Sequence, residues 1–223
     1  MTIRTVDPGA GINWLQGGWA AFKAGGPLLI GMVFATLLAC VFLAWIPWLG
    51  VLLVPIVGTF CYAGMLRSVR GVAEGRAMRF DDLWSLAGDE DRMVHVAIVA
   101  LVPLLGSLLR AALPGGLVGW TLGALISVAV LALTYFAVPL VLFRKLEAPL
   151  ALRRSFEGVL TNLPAVIVFW IACIVLLALA VLPAGLGLLV LVPVLLGAAY
   201  EAYAEVYADI ELVPNAPPPP PSA

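Results

Sequence analysis

Long parts of this chain carry no charge at all. Pro27 to Leu66, Leu117 to Phe143 and Gly158 to Tyr200 contain no Asp, Glu, Lys or Arg. Of the 223 residues only 11% are charged and 63% are hydrophobic, against about 25% and about 45–50% in soluble domains. A soluble fold of this size cannot hide that much apolar surface, so the composition predicts an integral membrane protein. Catalytic signatures are equally scarce. The one histidine, His95, makes neither a paired-histidine metal motif nor a triad, and no serine sits in a Gly-x-Ser-x-Gly elbow. The three cysteines, Cys40, Cys61 and Cys173, fall singly inside apolar stretches, which argues for small apolar packing over a disulfide framework or a metal site. The acidic groups Asp81-Asp82 and Asp89-Glu90-Asp91 lack the glycine spacing of a calcium loop and read as solvated charge. These absences predict no enzymatic activity, no cofactor and no nucleic-acid partner.

What is present divides into helices. A hydrocarbon core about 30 Å thick needs about 20 helical residues. That rule predicts six crossings, near residues 27–46, 47–66, 93–113, 117–143, 164–182 and 184–204. Pro47, Pro114 and Pro183 mark tight turns at one side, and Pro27 and Pro164 stand where a helix can begin without losing a hydrogen bond. The third crossing is the most polar, with His95, Pro103 and Arg110, yet the charge pattern requires it. With it in place, 11 of the 12 Lys and Arg residues lie on one side, so the positive-inside rule puts both termini in the cytoplasm. Arg110 is the one outside, near enough to its helix end to snorkel. The first 26 residues precede an apolar run too long for a cleaved signal and are expected to stay attached. The stretch 213–223, with its proline run, is expected to be a disordered tail after a single membrane domain spanning 1–212.

The chain also reads as a threefold repeat, with units at about 12–66, 78–143 and 151–210. Each unit is a short amphipathic lead-in followed by a helical hairpin, and the second helix of each hairpin has an internal proline: Pro55, Pro139 or Pro193. All three units face the same way, which predicts a pseudo-threefold axis along the membrane normal. The lead-ins place Ile12, Leu15, Trp19 and Phe22, then Phe80, Leu83 and Trp84, then Leu152, Phe156, Val159 and Leu160 at helical spacing. They suit the headgroup layer, with Lys23, Arg79, Arg153 and Arg154 near an anionic leaflet, or they brace the hairpins.

Two clusters are candidate functional residues. Glu201, Glu205 and Asp209 share one helical face at the end of the sixth crossing, beside Tyr200, Tyr203 and Tyr207. Carboxylates there oppose the helix dipole by about 0.3–1 kcal/mol each, so basic partners are expected. Arg67, Arg70, Arg153 and Arg154 are the candidates, forming a polar collar around the hairpins; a cation or proton site at Glu201 and Glu205 is the sharper alternative. The second cluster, Gly115, Gly119, Gly123 and Ser127, is a small-residue ladder that lets another helix approach, from this chain or from a second copy.

The pattern Gly18-Trp-Ala-Ala-Phe-Lys, the proline-marked hairpins and Tyr207-Ala-Asp-Ile-Glu-Leu together resemble a family of uncharacterised six-helix inner-membrane proteins of proteobacteria. That family is distantly similar to the membrane portion of some glycerophosphodiester phosphodiesterases. The resemblance runs from about Trp14 to Leu212 and implies a bacterial inner membrane. It carries over no catalytic residue, because none of these positions belongs to a soluble phosphodiesterase domain. The expectation is an all-α, six-helix membrane module acting through lipid or another membrane protein, itself included. The alternative is a small transporter or channel for an uncharged or lipid-like molecule, which requires a cavity between the hairpins.

Overall fold

The computed structural model describes residues 3–46, 48–182 and 185–208. Pro47, Pro183, Asp209 and the proline-rich segment 213–223 lie outside the described residues. The protein is an all-helical membrane bundle, and six of its helical stretches are long and apolar enough to cross a bilayer. In chain order the elements are α1 (Ala10–Ala44), α2 (Leu49–Ala73), a 3₁₀ segment (Phe80–Gly88), α3 (Glu90–Ala111), α4 (Leu117–Thr134), α5 (Ala137–Arg144), α6 (Ala148–Thr161), α7 (Leu163–Val181) and α8 (Leu188–Val206). The fourth crossing is shared by α4 and α5.

The first lead-in and the first crossing lie end to end in α1, separated by a kink at Gly25 (φ −141°, ψ 19°), two residues before Pro27. Pro27 thus stands in the first turn of the crossing, where its missing N–H costs no hydrogen bond. The other two lead-ins are a 3₁₀ segment and the helix α6.

The fourth crossing is interrupted. Pro139 has no N–H for the Tyr135 carbonyl, and the helix opens at Tyr135 and Phe136. The buried hydroxyl of Ser155 on α6 enters the gap. It accepts from the Phe136 N–H (2.9 Å) and donates to the Ala132 carbonyl (3.0 Å). Those two backbone groups are four residues apart and would bond to each other in an unbroken helix. One side chain thus replaces a rung of the ladder and ties α6 to the break.

Consecutive crossings pair as antiparallel hairpins, but the most extensive helix contact joins the first and last, α1 with α8. Glycine makes this possible. A Cβ on Gly18 would collide with the Val194 carbonyl and the Ala198 nitrogen, and one on Gly11 with the Ala165 carbonyl of α7. Without water to drive helices together in lipid, such backbone contact supplies the association. Trp14 locks the seam: it is 1% exposed and meets Phe169 edge-on at 5.8 Å. The segment before α1 is held as well, with Arg4 N–H donating to the Val206 carbonyl (2.9 Å) and Val6 N–H to the Asn162 side chain (2.8 Å).

Candidate functional site

The helices leave a cavity of about 570 Å³ at the centre of the bundle, within the ~300–1,000 Å³ typical of small-molecule sites. All six crossings contribute to its wall. Pro55 on α2 and Pro103 on α3 line it, each removing an N–H from its helix. The hydroxyls nearby are turned back on their own helices: Thr59 donates to the Pro55 carbonyl (2.7 Å) and Thr134 to the Val130 carbonyl (2.8 Å). At Gly58 the wall has no side chain, and nothing lies within 4 Å of where its Cβ would be. Among the described residues, none that lines the space is charged. Tyr135 lines it, while its hydroxyl is buried with no hydrogen-bond partner among the described residues, a state that costs about 1–3 kcal/mol.

Tyr135 stands at the break between α4 and α5 with its backbone still helical (φ −54°, ψ −48°), its N–H donating to the Leu131 carbonyl (2.8 Å). Its ring lies 4.6 Å from that of Phe136 and 6.0 Å from that of Phe169. Further aromatics close the charge-rich end of the bundle. Phe136 meets Tyr207 at 5.3 Å, Tyr207 stacks on Tyr203 at 5.8 Å, and Phe143 contacts both Tyr203 and Tyr200. Arg144 fastens the layer by donating to the Tyr207 carbonyl (2.6 Å) and the Tyr203 hydroxyl (3.2 Å). Tyr207 donates in turn to the Arg154 carbonyl (2.6 Å), and Gly158 provides the space for its hydroxyl. Burial pushes the Tyr207 phenol above its ordinary range, the nearby Glu157 adds to this, and Arg154 opposes it.

The expected collar is arranged differently. Glu205 accepts from the Trp14 indole N–H (2.6 Å), and Glu201 lies against Gly17 on α1. Neither makes an ion pair with Arg67, Arg70, Arg153 or Arg154, each of which has a partner closer in sequence. Arg67 bridges to Asp89 (2.9 Å) and donates to the Ser85 carbonyl (2.8 Å), while Arg70 pairs with Glu74 (2.6 Å) and lies 4.8 Å over the Phe143 ring. Arg153 and Arg154 share Glu157 at 2.9 and 3.0 Å. The correction has a geometric cause. The carboxylate face of α8 is the face that packs on α1, and the arginines lie around the other helices. Asp209, the third carboxylate of the expected set, is outside the described residues.

Of the acidic residues read as solvated charge, Asp81, Glu90 and Asp91 are exposed, whereas Asp82 and Asp89 are structural. Asp82 accepts from Arg76 (3.0 Å), Ser68 (3.0 Å) and the Arg79 backbone (3.2 Å), which fastens the 3₁₀ segment under α2. Asp89 caps α3 through the Arg92 N–H and binds the Arg92 guanidinium (2.6 Å). Burial acts to raise its pKa, but the Arg92 backbone and the Arg92 and Arg67 charges outweigh that and hold it below the usual carboxylate value. Glu157 is likewise held low, first by its hydrogen bond from Arg153.

The small-residue ladder faces α3 of its own hairpin through Gly123 and Ser127, without backbone-close packing. A Cβ on Gly115 would meet nothing, one on Gly119 would meet its own Pro114 turn, and Gly123 faces Leu113 and Arg110. Gly119, Gly123 and Ser127 line a groove of about 430 Å³ with Arg110, which donates to Ser127 (2.9 Å) and Ser107 (3.3 Å). Close packing occurs at Gly11, Gly18 and Gly197 instead. Those glycines, Ser155, Asn162 and the Trp14–Glu205 bond were absent from the sequence-derived set. Only Gly11 and Gly18, seven residues and so two turns apart on α1, left a readable signal.

Fold and cavity together define a multi-pass helical membrane protein with an uncharged internal chamber. No family model, curated protein or solved structure matches this chain.

Proposed function

We propose that the protein is a non-enzymatic module of a bacterial inner membrane that takes an uncharged, lipid-like molecule from the bilayer into its central cavity. The cavity carries this reading. It is an apolar space of about 570 Å³ at membrane depth, bounded by all six crossings and lined by no charged side chain among the described residues. A charged solute entering it would lose its water and find no counter-ion, whereas an apolar chain would replace one hydrocarbon environment with another. The charge-rich end faces the cytoplasm in this reading, as the Lys and Arg distribution favours, and the resemblance to proteobacterial inner-membrane proteins is in keeping with it.

Purification in a mild detergent followed by mass spectrometry of extracted lipid tests the reading. Lipid retained in a fixed ratio is expected, with a marked loss in Gly58→Phe, whose ring would occupy the cavity where nothing now stands. Absence of retained lipid, or full retention in that variant, counts against it. Orientation is tested in a variant with Cys40, Cys61 and Cys173 replaced, by labelling Arg76→Cys and Arg153→Cys. Reaction with an impermeant reagent from the periplasmic side would reverse the assigned topology.

A second reading, transfer of the molecule across the membrane, draws on the prolines in the helices that line the cavity. These supply hinge points at membrane depth. It predicts leaflet-to-leaflet movement of a fluorescent uncharged lipid in proteoliposomes; equal rates in protein-free vesicles would remove it.

A further inference from the structure

Arg110 stands apart from every other charge in the chain. The 13 Asp and Glu residues fall at 7, 74–91, 147–157 and 201–211, in the segments that carry 11 of the 12 Lys and Arg residues. Arg110 lies in the last turn of α3, at the opposite end of the bundle. The acidic residues of that helix, Glu90 and Asp91, are in its first turn, about 28 Å away along the axis. Among the described residues no carboxylate pairs with Arg110; its partners are the Ser127 and Ser107 hydroxyls.

The sequence suggests that this side chain snorkels outwards, and the structure turns it the other way. Its Cγ lies 3.9 Å from where a Cβ on Gly123 would stand, and its Nη1 reaches the Ser127 Oγ, one turn deeper along α4 (2.9 Å). Its Nη2 reaches back one turn along α3 to the Ser107 Oγ (3.3 Å). Ser107 and Ser127 donate their own protons to the Pro103 and Gly123 carbonyls (2.8 Å each), so towards the arginine both act as acceptors. A guanidinium has five N–H donors; two go to these neutral oxygens, and the charge is left without a counter-ion. A cation within a crossing is costly and is normally paired.

Space for a counter-ion lies beside it. The groove of about 430 Å³ runs from Leu113, Pro114 and Gly115 past Gly119 and Gly123 to Ser127, and Arg110 is on its wall. Arg110 is exposed, so its remaining donors are open to a ligand. The groove shares no lining residue with the central cavity. Its Trp120 is 80% exposed, and Leu117 and Val118 in the same turn of α4 are exposed as well. The charge requires an anion, and the apolar rim suits one that carries hydrocarbon. Phosphate matches the planar fork of arginine, and a bilayer supplies it attached to acyl chains.

We propose that this groove is a docking site for a phospholipid of the charge-poor leaflet. Its phosphate accepts hydrogen bonds from the remaining Arg110 donors, and its acyl chains lie along Leu117 and Trp120. The site is separate from the central cavity and does not depend on the reading given for that cavity.

The full-length protein in micelles of an uncharged detergent is titrated with phosphatidylglycerol brominated on its acyl chains, and with the diacylglycerol of the same chains, which lacks the phosphate. Quenching of Trp120 reports occupancy, and its loss in Trp120→Phe identifies the signal. Wild-type protein is expected to bind the phospholipid about tenfold more tightly than the diacylglycerol, a ratio equivalent to about 1.4 kcal/mol. Arg110→Gln should abolish that preference while diacylglycerol binding stays unchanged, which also shows that the variant is folded. Arg110→Lys keeps the charge without the fork and should retain part of the preference; its complete loss there counts against the proposal. Equal binding of the two lipids to wild type, no quenching by either, or an undiminished preference in Arg110→Gln overturns it. Displacement of the phospholipid by an equal concentration of glycerol phosphate would assign the groove to a soluble phosphate and overturn the lipid.

Discussion

Ser155→Ala removes one oxygen and tests how the fourth crossing is built. The hydroxyl makes two hydrogen bonds, from the Phe136 N–H at 2.9 Å and to the Ala132 carbonyl at 3.0 Å, and Ser155 is fully buried. After the substitution the two backbone groups have two options. They can stay apart, each unsatisfied at about 1–3 kcal/mol. They can also close the helix and bond directly, which moves Phe136, itself fully buried against Tyr207. A lower bound comes from side-chain hydrogen bonds in membrane proteins, which average about 0.6 kcal/mol, so two give roughly 1.2. The expected destabilisation is therefore about 1–4 kcal/mol, towards the upper end because protein rather than lipid surrounds the site. Reversible unfolding in mixed detergent–SDS micelles, followed by tryptophan fluorescence and circular dichroism, measures it. A loss below about 0.5 kcal/mol, ordinary for a neutral surface change, would refute the claim that this hydroxyl holds the break.

The α1–α8 seam and the cavity predict opposite results for the same substitution. Gly18→Ala is expected to lower stability by about 1–3 kcal/mol or more, because the Val194 carbonyl is backbone and cannot yield; Gly58→Ala should raise it by about 0.5–1 kcal/mol through helix propensity alone. Thermal unfolding of the two variants side by side decides this. Trp14→Phe should cost about 1.5–3 kcal/mol by leaving the half-buried Glu205 carboxylate without its donor, and a double-mutant cycle with Glu205→Gln should recover part of that loss. Asp89 gives a pH signature. Its folded pKa is depressed, so its contribution is present above the unfolded value of about 3.9 and is lost as pH falls through the lower folded value. Unfolding measured from about pH 6 downwards should lose that acid-side component in Asp89→Asn.

The crossings were legible because lipid imposes a composition rule over some 20 residues at a time, and a rule that long survives local exceptions. The predicted limits 164–182 and 93–113 fall within a few residues of α7 (Leu163–Val181) and α3 (Glu90–Ala111). Pro27 was legible for a local reason: a proline is tolerated in the first turn of a helix, and the kink at Gly25 falls two residues before it. The collar was not: i, i+4 spacing put Glu201 and Glu205 on one face correctly, but nothing in the spacing says which helix that face meets.

From the chain alone came the solvent, the number of crossings, the positions of the prolines within them and the segregation of charge to one end. Each follows from the identities of neighbouring residues along one helix. Tertiary structure decided the rest: that the first helix closes on the last through Gly18 and Gly197, that Ser155 of α6 completes the broken fourth crossing, and that Tyr135 comes to line the central cavity. Those outcomes depend on contacts between residues up to 179 positions apart, such as Gly18 with Gly197. Helix association in lipid is governed by the fit of small surfaces rather than by hydrophobicity, and fit is not written in any local pattern.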